Sequence, residues 1–194
     1  MRQNLNVDTT FMAALLAAVV TAGGWLANHW LSGRAERTRR LYETSLAHVD
    51  KQLEELYGPL VFLVQEGRTA WRDFCDTLGR EVVFEGPGAL TEEEIDLWLF
   101  WVDNEFIPRN SAIQILLSSK AHLVVGNSMP DSHLAFIEHH ASWRVAHLRW
   151  KDKGVAYRWH AKVNWPKQFE TEVIETYKEL KNRQAELAGH VLRI

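Results

Sequence analysis

Three histidines are the residues whose type and spacing come closest to a chemical site. His133, His140 and His147 follow one another at intervals of seven residues, which places them on one face of a helix. Seven residues are two turns, about 10.5 Å along the axis, so neighbours cannot share a metal ion without ligands from other helices. A His-Glu-x-x-His zinc motif is absent. We expect solvated or interface histidines, with a pH-dependent contact if they lie in an interface.

A second candidate is a run of acidic residues with no lysine or arginine among them: Glu85, Glu92, Glu93, Glu94, Asp96, Asp103 and Glu105. A pair of these carboxylates could act as the acid and base of a hydrolase. We favour a structural interpretation, because Thr91 and Glu94 have the spacing of a capping box and acidic residues stabilise the start of a helix.

The single cysteine, Cys75, lies beside Phe74 and has no acid–base neighbour in the sequence, which is typical of a buried small hydrophobe. One cysteine excludes an intramolecular disulfide and fits a reducing compartment. No phosphate loop, Gly-x-Ser-x-Gly, Cys-x-x-Cys or haem-attachment motif occurs. The sequence therefore predicts no catalytic residue, no metal site and no cofactor.

Basic side chains alternate with aromatic rings in a later stretch, which we call the basic tryptophan segment: Arg149, Trp150, Lys151, Lys153, Tyr157, Arg158, Trp159, Lys162, Trp165 and Lys167. Such a mixture suits lipid headgroups, nucleic acid or an acidic protein surface. The formal net charge of -3 argues against a general nucleic-acid binder, so we do not expect nucleic acid as a partner. In the alternative interpretation, the tryptophans cap the core where two helices meet.

An uncharged segment near the N-terminus determines where these candidates act. Its apolar centre has 21 residues, from Phe11 to Leu31, and about 20 residues of helix cross a bilayer. The predicted anchor residues are Phe11, Leu15, Leu16, Val19, Trp25, Leu26 and Trp30, followed by Arg34, Arg37, Arg39 and Arg40. The arginines after the span predict an N-terminus outside and a C-terminal domain in the cytoplasm.

A cleaved signal peptide is the alternative, because Val20-Thr21-Ala22 resembles a cleavage site. We favour the anchor, since the apolar run continues well past that site and the N-terminal flank is only weakly basic. A buried core helix fits an uncharged stretch of this length poorly. The predicted organisation is residues 1–33 as tail and transmembrane anchor and residues 34–194 as a helical cytoplasmic domain.

A heptad-like apolar stripe between Tyr42 and Phe74 predicts that the helix continues beyond the anchor. The stripe either faces the domain's own core or forms a coiled coil between copies, with a candidate oligomer seam at Leu46, Val49, Leu53, Leu56, Leu60 and Leu63. Gly58-Pro59 interrupts it, and a proline inside a helix predicts a kink or short break.

Turn and capping signals divide the rest of the chain into further helices. One begins at Thr91, is kinked or split at Pro108 and ends near Gly126. The next runs from Pro130 to Gly154, with an expected core stripe of Leu134, Ile137, Ala141, Val145 and Leu148.

The last helix begins at Asn164-Trp165-Pro166, and its expected core stripe is Phe169, Val173, Tyr177, Leu180, Gln184 and Leu187. Residues 79–90 contain Gly-Pro-Gly and predict a loop, and no strong strand alternation occurs. The predicted fold is all-α: an N-terminal transmembrane helix followed by a four- to five-helix cytoplasmic bundle with a long kinked first helix.

The anchor, its arginines and the Leu56-Tyr57-Gly58-Pro59-Leu60 motif resemble a group of uncharacterised bacterial single-pass membrane proteins. Further short motifs resemble the same group, although it would have Asn-Phe-Pro where this chain has Asn164-Trp165-Pro166. The resemblance implies a bacterial inner (cytoplasmic) membrane protein with a helical domain. It implies no activity, so no functional residue is transferred from it.

Together these patterns favour a membrane-anchored helical interaction protein, a scaffold or an accessory subunit, rather than an enzyme. Its partners would be the lipid bilayer and another membrane protein or a second copy of itself. The alternative is a membrane-tethered enzyme or effector with an unrecognised site, possible members being His133, His140 and Glu138. A membrane-disrupting effector is a third class, which nothing in the sequence predicts.

Overall fold

The computed structural model describes residues 4–80, 90–155 and 164–193, and every regular element within these ranges is helical. The all-α class is therefore confirmed for the described residues. The helices are α1 (Asn4–Gln52), α2 (Gly58–Leu78), α3 (Glu92–Trp101), α4 (Ile107–Ser119), α5 (Asp131–Lys153) and α6 (Lys167–Val191), with a short 3₁₀ turn at Ala121–Leu123.

Two π-helical turns join α1 to α2 and α3 to α4, so the described residues form four continuous helices. The predicted count, an anchor plus four or five helices, was too high. The π turns span Leu53–Tyr57 and Val102–Phe106, and each ends two residues before a proline. Their longer hydrogen bonds shift the preceding carbonyls away from the proline ring, so Pro59 and Pro108 do not interrupt the helix.

The chain forms two compact units, His48–Gln184 and Met1–Ala47 with Ala185–Ile194. In the second unit, the rings of Tyr42 and His190 stack with their centroids 4.7 Å apart. The domain boundary that we placed at residue 33 lies inside α1 rather than at a break in the helix.

An aromatic cluster forms much of the core of the His48–Gln184 unit. Phe74 from α2 packs on Trp98 from α3, with ring centroids 5.2 Å apart, and Trp98 stacks on Trp143 from α5 at 5.7 Å. Phe106 of the second π turn completes this group of buried rings. Large flat rings remove much apolar surface from water and prefer such offset and tilted contacts, so the cluster fixes α5 against α2 and α3.

Most helix boundaries agree with their sequence signals. The capping box at α3 is present, with Thr91 Oγ1 accepting from the Glu94 amide at 3.2 Å. Pro130 precedes α5, and Gly154 ends it with a left-handed φ of 63°. The end of α4 was predicted wrongly, because this helix stops at Ser119 and not near Gly126.

Candidate interaction surfaces

Exposed apolar side chains cover α1 in the predicted anchor. The large ones between Phe11 and Leu31 are 51% to 69% exposed. Among the described residues, one helix is long and apolar enough to cross a membrane, and none of its most apolar window is buried within the chain. A core helix would be mostly buried, so this exposure argues against the core-helix interpretation. A signal sequence meets the same criteria of length and composition.

The arginines of the predicted anchor lie on the exposed surface of α1. The guanidinium of Arg34 lies 3.9 Å from the ring centre of Trp30, which is a cation–π contact. Arg39 and Arg40 pair with Glu43 and Glu36 at 2.8 and 2.9 Å, one turn away along the helix. Exposed pairs of this kind add little to stability, because solvent screens the charges.

The two faces of α5 are the reverse of our expectation. The histidine stripe, which we expected to be solvated or in an interface, is buried: His133, His140 and His147 are 2%, 0% and 2% exposed. His139, Phe136 and Trp143 are buried with them. The expected core stripe is on the outside, since its members are exposed or only partly buried: Leu134, Ile137, Ala141, Val145 and Leu148.

At the C-terminal end of the buried stripe, an acidic residue joins two basic ones. Asp103 Oδ1 lies 2.8 Å from His147 Nε2 and 3.0 Å from Lys151 Nζ. Burial alone would raise the pKa of Asp103, but the hydrogen bonds from His147 and Lys151 together hold this pKa below its ordinary value. One residue of the acidic run thus pairs with one of the basic tryptophan segment within the chain.

The other two histidines of the stripe bind serine hydroxyls. His140 Nε2 lies 3.3 Å from Ser111 Oγ, and that hydroxyl donates to the Ile107 carbonyl at 2.8 Å. The serine proton is therefore used, so His140 donates from Nε2 and its Nδ1 carries the lone pair. His133 Nδ1 lies 3.1 Å from Ser132 Oγ, which donates to Glu172.

Burial favours the neutral form of these two rings. It lowers the pKa of His140 to about 4, with smaller contributions from the nearby Arg144 and His139. Burial also lowers the pKa of His133, against the attraction of Glu172. The remaining ring atoms, His133 Nε2 and His140 Nδ1, have no hydrogen-bond partner within the described residues.

The histidine stripe does not gather into a reaction centre. Each of His133, His140 and His147 has its own local partner, and successive members are separated by two helical turns. Glu138, the third residue of our enzyme alternative, is exposed whereas His140 is buried. Within the described ranges, no group of three or more His, Cys, Asp and Glu side chains is placed to hold a metal ion.

The basic tryptophan segment lies only partly within the described residues. Arg149, Lys151 and Lys153 are exposed in the last turns of α5, and Lys167 is exposed at the start of α6. The two described tryptophans, Trp150 and Trp165, are half-buried. The ring centroids of Trp150 and His147 are 5.3 Å apart, and Nε1 of Trp165 donates to Oε2 of Glu170 at 3.3 Å. Four members lie outside the described residues: Tyr157, Arg158, Trp159 and Lys162.

The candidate oligomer seam faces inward in this chain. Val49, Leu53, Leu56 and Leu60 are buried, whereas Leu46 and Leu63 are half-buried. The burial of the first four is what we expect if the stripe faces the domain's own core. These side chains would be available to a second copy only if that core opened.

Sequence reasoning missed a buried arginine. The Arg109 side chain is 8% exposed, and its Nη1 donates to Glu105 at 2.6 Å. Burial lowers the pKa of Arg109, while Glu105 opposes that shift. The guanidinium lies against Gly67 of α2. Gly67 lies in the stripe of larger apolar residues between Tyr42 and Phe74, and this small residue was the one sign in the sequence that a bulky side chain packs there.

A groove of about 500 Å³ lies beside this arginine and is lined by Phe62, Gln65, Glu66, Thr69, Ala70, Asp73, Trp101 and Glu105. Three of its lining residues are carboxylates, of which Glu105 is already paired with Arg109. The groove is open to solvent, and we assign it no ligand.

Comparison with protein-family models, curated proteins and solved structures finds no match for this chain. The resemblance to bacterial single-pass proteins stays a prediction, and function has to be argued from the residues themselves.

Proposed function

We propose that this protein is a single-pass protein of the bacterial inner membrane, with its N-terminus outside and its helical domain in the cytoplasm. Its role would be that of a scaffold or accessory subunit, which binds protein partners and carries out no reaction of its own. The observation that carries the proposal is the exposed apolar run of α1 between Phe11 and Leu31, of which the most apolar window has no buried residue. An exposed surface of this length and composition is stable in lipid and costly in water.

The charges that follow the run support the proposed orientation. Arg34, Arg37, Arg39 and Arg40 are exposed directly after the apolar side chains, and Trp25 and Trp30 precede them. Tryptophan favours the headgroup layer, and arginine near the end of a span favours the cytoplasmic side. The contact between Arg34 and Trp30 is compatible with both preferences.

The helical domain supports a binding role by its surface. His133, His140 and His147 have structural partners, whereas large apolar side chains are exposed on the other face of α5: Leu134, Val145 and Leu148. Exposed apolar patches on soluble domains commonly mark sites of protein contact. We therefore assign partner binding to the helical domain and membrane attachment to α1.

Membrane insertion is tested by expressing the full chain in a bacterium, extracting the membranes at alkaline pH and measuring the intact mass. We expect a full-length protein in the membrane pellet. A matched pair of variants, L16R/V19R and L16A/V19A, separates insertion from folding. Each central arginine costs about 2.5–3.5 kcal/mol of insertion, so only the arginine variant should become extractable. A soluble product shortened near Ala22 would identify a signal peptide and contradict the proposal.

Orientation is tested by a protease-sensitive tag after Ile194. In intact cells with a permeable outer membrane, we expect the tag to be protected, and in inverted inner-membrane vesicles it should be cleaved. Replacing Arg34, Arg37, Arg39 and Arg40 by glutamine should increase the fraction cleaved from outside. Cleavage of the unmodified protein from outside would overturn the cytoplasmic placement.

A further inference from the structure

One face of α1 changes from apolar to basic where the apolar run ends. Leu26, Trp30, Arg34 and Arg37 follow one another at intervals of four, four and three residues, so they lie on the same face of the helix. All four side chains are exposed, Leu26 and Trp30 by 60% and 58%. Along this face an aliphatic group is therefore followed by an aromatic ring and then by two cations.

The two arginines of this face keep their charge, whereas the next two are neutralised. On a helix, an arginine pairs with a carboxylate three or four residues away. Arg39 and Arg40 each bond a glutamate at that distance. No acidic residue occupies these positions around Arg34 or Arg37, and neither has an ion-pair partner within the described residues. A binding site for an anion therefore lies at Arg34 and Arg37.

The contact between Arg34 and Trp30 leaves the arginine able to bind an anion. Cζ of Arg34 lies 3.9 Å from the centre of the Trp30 ring. A cation–π contact uses the charge of the guanidinium and none of its five N–H donors. The ring therefore holds the side chain in place while the donors remain available to phosphate oxygens.

The position of the arginines along α1 matches the depth of lipid phosphates. Arg34 and Arg37 lie about 4.5 Å and about 9 Å beyond Leu31 along the helix axis. The headgroup layer of a bilayer extends about 5–8 Å beyond the hydrocarbon on each side. When the apolar run spans the membrane, the phosphates of one leaflet therefore lie level with these two guanidinium groups.

We propose that Arg34 and Arg37 together bind the phosphate of one anionic phospholipid of the cytoplasmic leaflet. Guanidinium groups bind phosphate through parallel N–H···O bonds, and side chains three residues apart on a helix are close enough to share one phosphate. Two cations without carboxylate partners select a headgroup with a net negative charge over a zwitterionic one. The inference rests on the proposed function, because a headgroup reaches these residues only if α1 spans the membrane.

The order of groups on this face favours a lipid over a free anion or an acidic protein segment. An acyl chain would lie along Leu26, the glycerol backbone beside Trp30 and the phosphate between Arg34 and Arg37. Tryptophan prefers this boundary between hydrocarbon and headgroups. A free phosphate would use only the two arginines, and an acidic segment would have to replace lipid at this depth.

Lipid titration of the full-length protein in a neutral detergent tests the site, with native mass spectrometry counting the lipids that each protein retains. We expect phosphatidylglycerol to be retained in preference to phosphatidylcholine. The variant R34Q/R37Q should bind phosphatidylglycerol about tenfold more weakly, since two cations at the headgroup are lost. The matched variant R39Q/R40Q removes the same formal charge from the same helix and should bind almost like the unmodified protein.

Three results would overturn the proposal. The first is equal weakening in the two variants, which would show that lipid responds only to the total charge of this segment. The second is equal retention of phosphatidylglycerol and phosphatidylcholine by the unmodified protein. The third is displacement of phosphatidylglycerol by inorganic phosphate, which would identify a site for free anions. Circular dichroism of each variant checks that the helices are intact.

Failure of this inference is distinguishable from failure of the proposed function. A full-length protein that resists alkaline extraction but does not discriminate between the two lipids would contradict the phosphate site and leave the anchor intact. A soluble product shortened near Ala22 would contradict the anchor, and the phosphate site with it.

Discussion

Nε2 of His147 lies 2.8 Å from Oδ1 of Asp103, so a buried ring on α5 is tied to the π turn between α3 and α4. Lys151, one turn further along α5, bonds the same oxygen. These contacts fix the C-terminal half of α5 against the continuous helix formed by α3, the π turn and α4. Asp103 is the acidic residue of this π turn that binds the histidine stripe.

Replacing Asp103 by asparagine should destabilise the fold by about 1–2 kcal/mol at pH 7, because His147 and Lys151 lose a charged acceptor. The pKa of Asp103 is lowered in the folded state, so its contribution is present above the unfolded pKa. The contribution is lost as the pH falls through the folded pKa. Urea unfolding of both proteins should therefore give a difference that is constant above about pH 4, the unfolded pKa, and declines as the pH falls below it.

The matched control for this prediction is Asp96→Asn, which removes an exposed carboxylate from α3. We expect this variant to have the same free energy of unfolding as the unmodified protein at pH 7 and at pH 3. A stability difference for Asp103→Asn that stays constant from pH 7 to pH 3 would show that the carboxylate charge plays no part.

His140 should make the fold sensitive to mild acid. Its pKa is lowered to about 4 by burial, whereas the unfolded chain binds this proton near pH 6.5. Between these values the unfolded state holds more protons, so stability falls as the pH falls from about 6.5 to 4. The full loss from this group is of the order of 3 kcal/mol.

His140→Gln keeps a polar side chain near Ser111 and removes the titration. We expect it to be less stable at pH 7 but to lose less of its unfolding free energy between pH 6.5 and pH 4. His48→Gln, at an exposed position, is the control and should keep the slope of the unmodified protein. Equal slopes for His140→Gln and the unmodified protein would contradict the prediction.

The sequence predicted those features of the fold that depend on local signals. The capping box at Thr91, Pro130 before α5 and Gly154 after it each act within one helical turn. The predicted stripe of α6 was correct at four positions, since Phe169, Val173, Leu180 and Leu187 are buried. Its other two members, Tyr177 and Gln184, are only partly buried. The correct positions could be predicted because the local helix signals and the packing of the core require the same residue types.

Hydrophobicity alone could not predict which face of α5 is buried, because two stripes of residues fit the helical period. One contains leucine, isoleucine and valine, and the other contains Phe136 and Trp143 between three histidines. Counting histidine as polar favoured the first stripe. The second is the buried one because the imidazoles, once bonded to Ser111, Ser132 and Asp103, pack as flat rings beside the large aromatics.

The π turns show a similar limit. Gly58-Pro59 signalled an irregular helix, but a kink, a break and a π turn all relieve the same proline conflict. Which of them forms depends on packing, because α1 and α2 both bury residues close to this point, among them Val49 and Leu60. That information comes from the assembled core and is absent from the local sequence.

Gly58 should resist substitution because of its π turn. Alanine in an ordinary helix is favoured over glycine by about 1 kcal/mol. Here a Cβ at residue 58 would lie 2.6 Å from the backbone oxygen of Leu53, which cannot move without opening the turn. We therefore expect Gly58→Ala to lower the free energy of unfolding by about 1–3 kcal/mol.

Gly189→Ala is the control, since a Cβ at this position of α6 meets nothing within 4 Å. Urea unfolding should find this variant as stable as the unmodified protein or slightly more stable. If Gly58→Ala proved stabilising, alanine would be compatible with the turn at residue 58 and the steric argument would fail.

Gly67 faces a side chain instead of a backbone atom, which predicts a different outcome. A Cβ there would lie 2.9 Å from Arg109 Nε and 3.2 Å from Cζ, and it would push the guanidinium away from Glu105. Gly67→Ala should therefore destabilise the unmodified protein. In an Arg109→Ala background the obstacle is gone, and the same change should stabilise the helix by up to about 1 kcal/mol. Urea unfolding of the four proteins gives the coupling energy, and an effect of the same sign and size in both backgrounds would show that Gly67 and Arg109 act independently.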